Sequence, residues 1–82
     1  MFYKIKSVKP LPKYNVLVTF VNKKIKKYDV KRLFDMDVFK TLEIVKGLFE
    51  QVRVDETGYG IVWNDDIDLA CNELYINGKS VK

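Results

Sequence analysis

Residues 14–21 read "YNVLVTFV", and their large side chains fall into two alternating sets: Tyr14, Val16, Val18 and Phe20 in one, Asn15, Leu17, Thr19 and Val21 in the other. A period of two belongs to an extended strand, whose successive side chains point to opposite faces. An apolar strand face has to be covered, so this segment demands a sheet backed by a second layer. The alternation begins earlier, in "YKIKSV", where Tyr3 and Ile5 alternate with Lys4 and Lys6. That is a first strand with its lysines outward. Pro10 and Pro12 in "KPLPK" offer no amide hydrogen and hold φ near about −65°, so residues 9–13 are expected as a connection or a sheet edge.

Asn22 and Lys23 fall where a two-residue hairpin turn would sit, since Asn tolerates the positive φ that a type I′ turn requires. With the turn there, Phe20 pairs with Ile25, Thr19 with Lys26 and Leu17 with Tyr28. The stretch "VNKKIKKYDVKR" carries six basic side chains in twelve positions. In this register Lys24 and Lys26 share one face and Lys27 takes the other, which splits the cluster. The stripe that survives is Lys4, Lys6, Lys24 and Lys26, expected on two neighbouring strands. It has two readings: a binding face, or a lysine-rich edge that discourages strand-to-strand aggregation.

From Asp37 the period becomes helical. Asp37 is a candidate N-cap, Phe39, Leu42, Ile44, Val45 and Leu48 recur at near-helical spacing, and Gly47 is a candidate C′ residue. One amphipathic helix of about ten residues is expected to cross the sheet. Leu33 and Phe34 form a turn ahead of it. "VRV" and "YGIVW" then alternate again around "DETG", a second hairpin. "LACNELYIN" predicts a short C-terminal helix with Leu69, Leu74 and Tyr75 inward. The expected fold is α+β: a small antiparallel sheet of two hairpins plus the N-terminal strand, packed with one central and one C-terminal helix. Residues 1–78 form a single domain, and 79–82 a tail.

The chain has 82 residues, room for one core. Its net charge of +4 hides an asymmetry: residues 1–32 hold ten Lys or Arg against Asp29 alone, and residues 33–82 hold five against ten acids. Such polarity concerns partners and fields, not fold. It suits a polyanion, an acidic protein surface, or a second copy met head to tail.

Histidine is absent, Cys71 is the single cysteine, and the two serines, Ser7 and Ser80, lie near the ends. A Ser-His or Cys-His nucleophile pair cannot be assembled from one such chain, nor can a zinc site of nitrogen and sulfur ligands. Cys71 is expected as a small buried residue. The acidic run "NDDIDL" supplies Asn64, Asp66 and Asp68 at calcium-loop offsets. Leu69 then occupies the glycine position and Tyr75 that of the twelfth-place glutamate, so a turn leading into an acidic helix start is the simpler reading. An enzyme would need Asp65, Asp66 and Asp68 to converge on a pocket. Gly58 and Gly60 sit in a hairpin with no following helix, unlike a phosphate loop. No metal, cofactor or small-molecule ligand is expected.

The longest mainly apolar run, "VLVTFV", is far short of the roughly 20 residues a membrane helix needs. The N-terminus has lysines where a secretory signal has a continuous apolar block. A cytoplasmic location without membrane contact is expected.

The order "VKPLPKYNVLVTFVNKKIKKYDV", "VFKTLEIV", "VRVDETGYGIVW", "DLACNELY" resembles the bacterial domain-of-unknown-function family 2442 over nearly the whole chain. The resemblance rests on the L-x-V-x-F strand, the Asp29-Val30 pair, the Phe-x-x-Leu helix, the Val-x-Val-Asp and Ile-x-Trp strands, and the closing Asp-Leu with Leu-Tyr. Three positions depart from it. The family commonly has Asp-Gly where Asn22 and Lys23 stand, Pro where Asn64 follows the Trp, and often Ser where Ala70 precedes the last helix. The resemblance implies a small α+β fold of uncharacterised function, encoded in many relatives beside another small protein in a layout similar to toxin-antitoxin pairs. Some relatives add a helix-turn-helix domain, which these 82 residues do not contain. The expectation is therefore a non-enzymatic module that meets a protein partner or itself. The alternative is nucleic-acid binding through Lys4, Lys6, Lys24 and Lys26, with Tyr3, Tyr14 and Tyr28 as candidate stacking rings.

Overall fold

Val16, Val18 and Phe20 become almost completely inaccessible while their neighbours on the other strand face stay half-exposed, so the alternation sorts one face of a sheet from the other. The computed structural model describes residues 3–81; Met1, Phe2 and Lys82, the outermost residues of the expected domain and tail, lie outside them. The strands are β1 (Ile5–Leu11), β2 (Asn15–Phe20), β3 (Ile25–Asp29), β4 (Arg53–Val54), β5 (Gly60–Asn64), β6 (Ile67–Ala70) and β7 (Lys79–Ser80). The helices are α1 (Asp37–Ile44) and α2 (Cys71–Asn77). The fold is α+β, as expected. It contains two antiparallel sheets rather than one, ordered β1-β2-β3-β7 and β4-β5-β6. They are tied where the Ile5 amide donates to the Gly58 carbonyl at 2.7 Å.

Two short strands account for the difference. Residues 67–70, expected as the start of the C-terminal helix with Leu69 already inside it, are instead a strand that alternates Ile67 and Leu69 inward with Asp68 and Ala70 outward and pairs with β5; the helix begins at Cys71. Residues 79 and 80, expected as a tail, pair with Lys27 and Lys26. Both elements are too short for a periodic pattern to announce them.

The first hairpin is in a different register from the one expected. Thr19 pairs with Ile25, Leu17 with Lys27 and Val16 with Tyr28. The loop has three residues, 21–23, and Lys23 takes φ 74° where the anticipated two-residue turn would have needed a glycine. Asn22 steadies the loop by accepting the Lys24 amide at 2.9 Å. In β1 the register slips between Ile5 and Ser7, leaving Lys6 as the extra residue of a bulge. Pro10 sits in β1 opposite Val16, on the sheet's outer edge, where its missing donor costs nothing.

The turn at 12–14 holds Lys13 and Tyr14 at φ 62° and 61°. Left-handed backbone costs a side-chain-bearing residue about 1–2 kcal/mol. Tyr14 recovers a comparable amount by placing its ring edge-on between Phe34 and Phe49, at 5.3 and 5.2 Å.

Trp63 organises the other half of the core. Its indole N–H donates to the Phe49 carbonyl at 3.0 Å, and Phe39 of α1 meets it edge-on at 6.4 Å. Helix α1 is shorter than expected: Met36 is its N-cap, Asp37 its first residue, and Val45 its C-cap. Gly47 does adopt a positive φ, but two residues beyond that cap. Ile44 and Val45, placed by periodicity on the buried stripe, are exposed.

Helix α2 is pinned to the inner face of the four-stranded sheet. The Tyr28 hydroxyl donates to Glu73 Oε2 at 2.7 Å, and Asn77 Nδ2 donates to Glu73 Oε1 at 2.9 Å. Tyr75 stacks on Tyr3 at 3.6 Å and meets Phe20 edge-on at 4.9 Å. Leu74 is fully buried, and no side-chain cap starts the helix at Ala70.

Burial first, then the hydrogen bond and charge of Glu73, raise the Tyr28 phenol above its ordinary value. A group raised on folding stabilises the fold at every pH below its unfolded pKa, about 10 for tyrosine, and that stabilisation is lost as pH climbs beyond it. Tyr28→Phe is therefore expected to cost about 1–3 kcal/mol in urea unfolding at neutral pH, as for a hydrogen bond to a charged group. The gap between the two proteins should narrow above about pH 10, where only the wild type loses this increment.

Candidate binding face

The inner face of the four-stranded sheet is set by the pairs Ile5–Phe20, Val8–Val18, Pro10–Val16 and Val16–Tyr28. Every intervening pair therefore faces outward. The outer rows are Lys9–Leu17–Lys27–Lys79, Ser7–Thr19–Ile25 and Leu11–Asn15–Asp29. Lys9, Lys27 and Lys79 are exposed, with half-buried Leu11, Leu17 and Ile25 among them.

Lys27 and Lys79 are direct cross-strand partners. Like charges so placed destabilise a sheet. Neither is in a close ion pair: among the described residues the one such pair is Lys40 with Glu43, at 3.0 Å, although Asp29 lines the same recess. Asp29, the acid on this face, accepts the Lys31 amide at 3.0 Å. Arg32 adds charge at the rim, donating to the Asn77 carbonyl at 3.3 Å and lying 5.5 Å from the Tyr28 ring.

The four lysines singled out from sequence are dispersed. Lys4 is exposed, its carbonyl accepts the Val21 amide, and its side chain runs along Gly58. Lys6 occupies the bulge. Lys24 is exposed beside the hairpin loop. Lys26 shares the inner face with Val18; its Nζ donates to Ser80 Oγ at 3.0 Å and lies 4.9 Å from the Tyr75 ring. It acts as a clamp on the C-terminal segment. The bulge is what misdirects the reading of β1, because one extra residue exchanges the faces beyond it and brings Lys9 to the outer side.

The three-stranded sheet has an outer face of opposite sign. Val54, Ile61 and Leu69 form its inner row, and Arg53, Val62 and Asp68 an outer one. Asp55, Glu56 and Asp65 line the same recess as Asp68 and Arg53. The Thr57 amide and then its hydroxyl, at 2.6 and 2.8 Å, hold the Asp55 carboxyl below the usual range.

Asp65, Asp66 and Asp68 do not gather into a metal cage; among the described residues no three potential ligands do. Asn64 instead closes the β5–β6 turn, accepting the amides of Asp66 and Ile67 at 2.9 and 3.0 Å. Asp68 lies in a strand, not at a helix start. Cys71 is buried at the first residue of α2, its thiol directed to Asn72 Oδ1 at 3.6 Å. No helix among the described residues is long and apolar enough to cross a membrane.

Residues 5–80 match the family described as "Protein of unknown function (DUF2442)". The chain belongs to the DUF2442 family. No curated protein and no solved structure matches it. Lys23 takes a left-handed turn position, Asn64 closes its turn through its side chain, and Ala70 leaves α2 without a side-chain cap.

The lysine row is completed by the exit from α2. A Cβ on Gly78 would collide with the Leu74 carbonyl oxygen and sit 3.0 Å from the Lys26 Cβ, so β7 reaches β3 only because position 78 has no side chain. Gly78→Ala is expected to release β7. By amide hydrogen exchange, Val81, whose N–H bonds to the Ile25 carbonyl at 2.9 Å, should lose protection by about tenfold more than the β2 amides.

Proposed function

We propose that this DUF2442 chain is a non-enzymatic protein-interaction module that receives an acidic protein surface on the outer face of its four-stranded sheet. We place it in the cytoplasm as one member of a two-protein bacterial system, the layout the family resemblance implies. The observation that carries the reading is the Lys27–Lys79 pair: two opposed cations with no close ion-pair partner, at the β3–β7 side of an open face. The pair works against the sheet on its own and in favour of any complex that brings carboxylates to it. Leu17 lies in the same row and Ile25 beside it, which provides apolar contact inside a charged surround.

Nucleic-acid binding is the competing reading of the same charge. Sequence-independent stacking needs free rings, and the candidates are engaged elsewhere: Tyr28 is buried, Tyr3 lies on Tyr75, and Tyr14 sits between Phe34 and Phe49. What is left is a phosphate-contacting role alone.

Co-expression with the product of the adjacent gene, followed by size-exclusion chromatography, tests the proposal. A stable complex is expected with the wild type, and its loss with Lys27→Gln/Lys79→Gln. Failure of the wild type to form a complex, or an undiminished complex with the double variant, contradicts it. Binding of the isolated chain to short DNA duplexes, with the steep salt dependence of phosphate contacts, would replace the protein partner with nucleic acid.

A further inference from the structure

We infer that a second copy of this chain is itself a ligand for the lysine face, docking through the acidic outer face of its β4-β5-β6 sheet. The inference rests on reading the lysine face as a protein-docking surface. One molecule carries both halves of a complementary pair: Lys9, Lys27 and Lys79 outside one sheet, and Asp55, Glu56, Asp65 and Asp68 around the outer side of the other. The two cannot neutralise each other within a chain, because both sheets turn their inner faces to one core and these outer faces away from it. Each face holds a single charge of the wrong sign. Asp29 is engaged by the Lys31 amide, and Arg53 donates to the Trp63 carbonyl at 3.5 Å.

Size and charge decide how strong such a contact is. Strands about 4.8 Å apart and about 3.4 Å per residue give the four-stranded outer face roughly 300–400 Å² and the smaller three-stranded one roughly 150–250 Å². Two such faces bury less than the roughly 1,200 Å² of a standard interface, so the association is weak and reversible. The net charge of +4 opposes approach, but the thinnest dimension of the molecule is 19 Å, about twice the screening length at 0.1 M salt. At that ionic strength the overall repulsion is screened while contacts within a few ångströms persist. The two faces are different surfaces, so each copy that docks leaves one of each sign open, and association continues beyond two.

Sedimentation velocity of the full chain at about 0.1 M salt, up to about millimolar concentration, provides the test. The weight-average mass should rise past that of a dimer without a plateau, and fall back to that of a monomer at about 1 M salt. Lys27→Gln/Lys79→Gln and Asp65→Asn/Asp68→Asn, each shown to be folded by its thermal melt, should be monomeric alone. Mixed in equal amounts, each supplies the face the other lacks, and association should return and stop at one to one. A wild type that stays monomeric, variants that associate like the wild type, or a mixture that stays monomeric would overturn the inference. A monomeric wild type that still captures the adjacent gene product through Lys27 and Lys79 would sink self-docking and leave the proposed function intact. Self-association without such capture would do the reverse.

Discussion

The hydrogen bond from Tyr28 to Glu73 is the contact from which the lysine face is assembled. It joins the buried side chain of β3 to α2, the helix from which the chain enters β7. The helix ends at Gly78, and the absence of a side chain there lets residues 79 and 80 fall into register beside β3. Without that sequence of contacts Lys79 would not stand opposite Lys27. Burial of the phenol strengthens the arrangement, since a buried hydroxyl without Glu73 would forfeit its partner where no water replaces it.

Charge does little to hold this molecule together. Of 26 charged side chains, one close ion pair is found among the described residues, between half-exposed groups on α1, and it is worth a few tenths of a kcal/mol. No charged side chain is buried among the described residues. Stability comes from the aromatic and aliphatic core around Trp63, Tyr28 and Phe20, which leaves the surface charges free to be sorted by sign. They are sorted by sheet: cations outside the four-stranded sheet, anions outside the three-stranded one. The same segregation shows in the primary structure as a basic first third followed by an acidic remainder, because each sheet is built mainly from consecutive strands.

The strands with strong alternation, β2 and β5, and the presence of both helices could be read from the sequence, although periodicity carried the buried stripe of α1 too far, onto the exposed Ile44 and Val45. Three local features escaped that reading. The bulge at Lys6 exchanged the faces of β1, the left-handed Lys23 lengthened the hairpin loop, and β7 was too short to have a period. Each concerns one or two residues, yet together they moved the basic row from Lys4, Lys6, Lys24 and Lys26 to Lys9, Lys27 and Lys79. In the acidic run the turn was legible, but the acidic helix start expected after it is a strand, with Asp68 in β6. Strand β6 was missed because its four residues were read as the start of the C-terminal helix.

A double-mutant cycle on Lys27 and Lys79, followed by urea unfolding at low and high salt, isolates the opposition of these two cations. If they repel across the sheet, Lys27→Gln and Lys79→Gln each stabilise the protein at low salt. The double variant then gains less than their sum by about 0.2–1 kcal/mol, and the difference vanishes at about 1 M salt. Strict additivity at low salt, or a coupling of the opposite sign, would show that the lysines do not face each other and that the face described above does not exist in this form.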